Sequence, residues 1–69
     1  MVRIIANPEI LGGKPVVEGT RLSVKHILGL LASSMSHQEI IGDYPDLSEE
    51  SIRAILAYAA RALQNEIVI

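Results

Sequence analysis

The sequence predicts a mainly α domain: a short N-terminal β-arm over residues 1–22, three helices over residues 23–64, and a short tail over residues 65–69. Three observations carry that expectation. Serines stand before three apolar-periodic runs, at Ser23, Ser36 and Ser48, where N-caps belong. Two short β-branched pieces, Arg3-Ile4-Ile5 and Val16-Val17, lie upstream with turn residues between them. The chain has 69 residues and no cysteine, so it has room for one small domain and no disulfide to staple it.

The arm begins with Arg3-Ile4-Ile5. Asn7-Pro8 turns the chain and Gly12-Gly13 turns it again. Val16-Val17 ends at Glu18-Gly19, and the two strand-like pieces pair as a loose hairpin. A lone two-stranded ribbon is marginal in water, so it must lean on the helices or on another subunit.

Ser23 opens the first helix. Val24, Ile27, Leu28 and Leu31 share one face, and the helix ends near Ser33-Ser34. Ser36-His37-Gln38-Glu39 has the form of a capping box, with Met35 placed to staple onto Ile40. The second helix is short, with apolar Ile40, Ile41 and Tyr44, and Pro45 blocks its continuation. Asp46-Leu47 makes a tight turn. Ser48 caps the third helix, whose first turn carries Glu49 and Glu50 where the helix dipole favours negative charge. Leu47 is placed to staple onto Ile52. Ile52, Ile55, Leu56, Ala59, Ala60 and Leu63 form its apolar stripe, and Glu49 pairs with Arg53 at i, i+4. Asn65 stops it, leaving Glu66-Ile67-Val68-Ile69 as a β-prone tail. The last two helices and their tight turn have the lengths of a helix-turn-helix.

A domain of this size hides only about 60% of the surface its unfolded chain exposes. Yet 49% of its residues are apolar, with two tyrosines and no Phe or Trp. The core is therefore aliphatic, and its excess points to a homodimer or a partner-bound subunit. Arg53, Arg61 and the tail residues Ile67, Val68 and Ile69 are the candidates for partner contact. No apolar run reaches the ~18 residues of a membrane span, and the N-terminus does not read as a signal peptide. The expected compartment is the cytoplasm.

The net charge is −2 but unevenly spread. Residues 1–25 hold Arg3, Lys14, Arg21 and Lys25 against Glu9 and Glu18, a balance of +2. Residues 26–69 hold Arg53 and Arg61 against six carboxylates, a balance of −4. In a helix-turn-helix the second helix meets DNA with its N-terminal end. Here that end carries Asp46, Glu49 and Glu50, which repel phosphates. Nucleic-acid contact therefore falls to Arg3, Lys14, Arg21 and Lys25, on β-arms from two subunits; a two-stranded ribbon fits the major groove.

Gly12-Gly13-Lys14 suggests a phosphate loop, but Pro15 stands where a hydroxyl is required and the other glycine is missing. His26 and His37 are eleven residues apart with no cysteine, so neither a metal site nor a cofactor is expected. Ser23, His26 and Asp43 lack an oxyanion hole or a shaped pocket, and no catalysis is expected.

Three stretches together resemble the family called domain of unknown function 433. They are Gly12-Gly13-Lys14-Pro15-Val16-Val17-Glu18-Gly19-Thr20-Arg21-Leu22-Ser23-Val24, the run from Met35 to Ser48, and Ile52-Arg53-Ala54-Ile55-Leu56-Ala57-Tyr58-Ala59-Ala60. The resemblance covers roughly residues 3–63. It implies a homeodomain-like three-helix fold in a bacterial or archaeal protein. Many members look like antitoxins of the VapB kind, encoded beside a toxin with a PIN-like nuclease domain. The resemblance thus implies an antitoxin that binds and silences such a ribonuclease and represses its own operon. The alternatives are a DNA-binding regulator without a toxin and a non-catalytic dimerisation module.

Overall fold

The computed structural model describes residues 1–63. The expected tail, with Ile67, Val68 and Ile69, and the final position of the 23–64 helical segment lie outside the described residues. Two strands, β1 (Ile4–Ala6) and β2 (Pro15–Val17), form an antiparallel hairpin. Three helices follow: α1 (Val24–Ala32), α2 (His37–Asp43) and α3 (Glu49–Ala62). Among the described residues no helix is long and apolar enough to cross a membrane.

The hairpin register pairs Ile4 with Val17, Ile5 with Val16 and Ala6 with Pro15. The Glu18 N–H donates to the Arg3 carbonyl at 2.8 Å, so the ladder continues past the strand ends. On the other edge of β2, the Val17 N–H donates to the Leu22 carbonyl at 3.1 Å, and Val16 bridges Ser23. β2 is therefore the middle lane of the arm. Side chains alternate along a strand, and the burial follows. Val17 joins the core cluster under the helices, while Val16 is fully buried outside that cluster. The arm thus buries a residue of its own.

The turns explain the glycines. The turn expected at Gly12-Gly13 is a 3-10 turn over Leu11–Gly13. It strings together three positive φ angles, 49° at Leu11, 66° at Gly12 and 89° at Gly13. Only glycine takes that region without steric cost, so Leu11 carries the strain. Gly19, at φ 87°, turns the chain out of β2. The Thr20 hydroxyl locks this turn, donating to the Val17 carbonyl at 2.8 Å and accepting from the Leu22 N–H at 3.0 Å.

All three expected caps form. Ser23 accepts from the His26 N–H at 3.0 Å. Ser36 and Glu39 exchange both bonds of the capping box, at 3.0 and 2.8 Å. Ser48 accepts from the Ser51 N–H, and the Ser51 hydroxyl accepts in turn from the Ser48 N–H. That second box uses serine at the position where glutamate is usual. α1 ends in a Schellman arrangement. Ser34 sits at φ 74°, Met35 N–H donates to the Leu30 carbonyl and Ser34 N–H to the Leu31 carbonyl.

Val17, Val24, Ile27, Ile40, Leu47, Ile52 and Ile55 form the core, with Met35, Tyr44 and Tyr58 packed at its margin. α3 packs on α1 and α2, and also meets β1. Two expectations need correction. The apolar stripe of α3 is buried only at Ile52 and Ile55, with Ser51 beside them; Leu56 and Leu63 are 41% and 57% exposed. α3 is apolar over a wider arc than the small core can cover. Glu49 does not pair with Arg53 in the structure. Its carboxylate takes the His37 ring at 2.7 Å, because the N-termini of α2 and α3 meet there.

Candidate functional site

Three surface grooves gather several of the candidate residues. The first runs between β1 and α3, with a volume of about 630 Å³. β1 brings Ile4, with Val2 and Arg3 just before it; α3 brings Ala54, Ala57, Tyr58, Arg61 and Ala62. The α3 positions lie three or four residues apart, so they share one flank of the helix. Arg3 and Arg61 are exposed and Tyr58 is half-buried. Among the described residues, no carboxylate lies within 4.0 Å of either arginine.

The second groove, also about 630 Å³, lies where the β2 turn faces the α2–α3 connection. Thr20, Arg21 and Leu22 line one side and Asp43, Tyr44 and Asp46 the other. The Tyr44 hydroxyl and the His26 Nε2 are 2.9 Å apart, with the rings edge to face. This contact, spanning eighteen residues, had no signal in the sequence. The Ser23 hydroxyl accepts from the His26 backbone N–H as the cap of α1, while the His26 ring reaches Tyr44. Among the described residues, no three His, Asp or Glu side chains converge on one point.

The third groove is smaller, about 250 Å³, between β2 and the first turn of α1. Lys14 and Lys25 flank it, over Pro15, Val24 and Leu28.

The four cations expected to form one basic arm are thus divided. Lys14 and Lys25 come together. Arg21 faces two aspartates. Arg3 joins Arg61, a residue expected to serve a different role. Arg53 is exposed and lines none of the three grooves.

The hairpin, the three helices and these open grooves define a small α domain with a β-hairpin arm. The chain belongs to the family described as Protein of unknown function (DUF433), whose pattern matches residues 4–59. It is similar to an uncharacterised protein of Sinorhizobium fredii, y4eO, with 38% identity over 56 residues. That match covers 81% of this chain and 25% of the relative, so the chain spans about a quarter of the relative's length. No solved structure gives a significant match.

Proposed function

We propose that this chain is a type II antitoxin that binds and neutralises a PIN-like ribonuclease toxin. In this reading it is a cytoplasmic, non-enzymatic homodimer with a homeodomain-like helical arrangement, and it represses its own operon. Family membership supports the reading through the antitoxin-like members described above. The observation that carries it is the outer face of α3. Leu56, Ala60 and Leu63 lie at i, i+4 and i+7, so they form one stripe, and all three are exposed. An apolar stripe on so small a surface suits burial against another chain. Inhibition would follow from covering toxin surface with that face.

The test is co-expression with the product of the neighbouring gene. The two chains are expected to co-purify, with ribonuclease activity suppressed in the complex. Leu56→Glu with Leu63→Glu is expected to release the toxin. A neighbour that is no nuclease and does not bind ends the antitoxin reading.

A second reading, a DNA-binding regulator without a toxin, is favoured by Lys14 and Lys25 sharing one groove. It expects a gel shift on the promoter duplex that weakens steeply with salt. Lys14→Ala and Lys25→Ala should each flatten the salt slope by about one. No shift at low salt removes it.

A further inference from the structure

The groove between β1 and α3 combines three properties. It offers two guanidinium groups, Arg3 and Arg61, with no carboxylate among the described residues in ion-pair range. Its floor is small and apolar: Val2, Ile4, Ala54, Ala57 and Ala62. One wall is the entry to β1, a strand that among the described residues pairs with β2 on one edge only. Guanidinium groups recognise carboxylates through paired N–H donors. Alanines let another backbone come close, and an edge strand accepts an extended peptide.

From this we infer that the β1–α3 groove binds an extended acidic segment of a partner protein. Arg3 and Arg61 take its carboxylates, and the alanine floor takes its apolar side chains. The inference extends the antitoxin reading by giving the chemistry of the surface that this chain grips. Nucleic acid fits the groove less well. A sugar-phosphate backbone has no apolar side chains for the floor. A strand running along α3 would also meet Glu49 and Glu50 at the other end of that helix, roughly 18 Å away at 1.5 Å per residue. A short peptide ends before it reaches them.

The probe is a blocked pentapeptide, Asp-Val-Glu-Val-Asp, titrated into the full chain and followed by amide chemical shifts. Shifts are expected at Val2–Ile4 and along Ala54–Ala62. The peptide with Asn and Gln in place of its acids should bind at least about tenfold more weakly. Arg3→Gln and Arg61→Gln should each cost about tenfold, whereas Arg21→Gln, in the second groove, should cost nothing. Ala57→Leu fills the groove from an exposed helical position without changing charge, and it should abolish binding while leaving circular dichroism unchanged. Equal binding of the neutral peptide, or shifts centred elsewhere, overturns the inference. So does a ten-nucleotide oligothymidine that moves the same amides at lower concentration than the peptide. The antitoxin reading is judged separately. Peptide binding without any binding to the neighbouring gene product leaves this inference standing and removes that reading. A toxin complex indifferent to Arg3→Gln and Arg61→Gln does the reverse.

Discussion

Ser48 and Ser51 hold the start of α3 by serving each other: each hydroxyl accepts from the other's backbone N–H. Ser51 is 3% exposed, the buried polar residue among those described, so its hydroxyl depends on this partner. Ser48→Ala leaves the Ser51 N–H without its acceptor and is expected to lower stability by about 1 kcal/mol. Urea denaturation measures this, and an unchanged midpoint would show that the cap contributes nothing. The serine caps were legible in the sequence because capping is local chemistry, decided within four residues. The partner of Glu49 was not. Arg53 satisfied the local spacing rule, but His37 comes to Glu49 through tertiary packing, which no spacing encodes. That pair is partly solvated, 38% and 48% exposed. A double-mutant cycle over His37 and Glu49 is therefore expected to give a coupling no greater than about 1 kcal/mol.

Among the elements, two glycines should answer the same substitution with opposite signs. Gly29 lies inside α1, and a Cβ there meets nothing within 4 Å. Gly29→Ala is expected to raise stability by about 0.5–1 kcal/mol, through better helix propensity. A Cβ at Gly19 also meets nothing within 4 Å, but the backbone sits at φ 87°. Gly19→Ala is expected to cost about 1–2 kcal/mol, all of it backbone strain. Thermal melts of the two variants should move in opposite directions; a common direction would contradict this account of the β2 turn. The helices themselves were readable, since apolar period and caps agree at each start. The buried arc of α3 was less so. Periodicity picks out Ile52 and Ile55 correctly, but Leu56 and Leu63 are just as apolar. Their exposure depends on how far α1 and α2 reach around α3.

At the scale of the whole molecule, one cluster of seven buried aliphatic residues holds hairpin and helices together. Truncating a fully buried isoleucine costs about 2–5 kcal/mol. The total stability of a chain this long is only about 3–10 kcal/mol at typical values per residue. Ile55→Ala, on α3 within this cluster and fully buried, is expected to remove most of it. A cooperative melt close to the parent's would show that the core does not act as one unit. The charge pattern was the least legible property at this scale. A count of cations along residues 1–25 treats them as one patch, but the hairpin turns separate them. Arg3 lines a groove with α3, Arg21 one with two aspartates, and Lys14 and Lys25 share a third.

The scarcity of aromatic residues has an optical consequence. With no tryptophan, the emission of this protein comes from two tyrosines. Tyr58 lines the groove of Arg3 and Arg61, and Tyr44 lines the groove of Arg21 and the aspartates. Each groove therefore carries its own intrinsic fluorophore. Tyr44→Phe leaves a protein that reports only on the β1–α3 face, and Tyr58→Phe one that reports only on the other. An unlabelled titration of the two variants can tell which face a ligand has occupied.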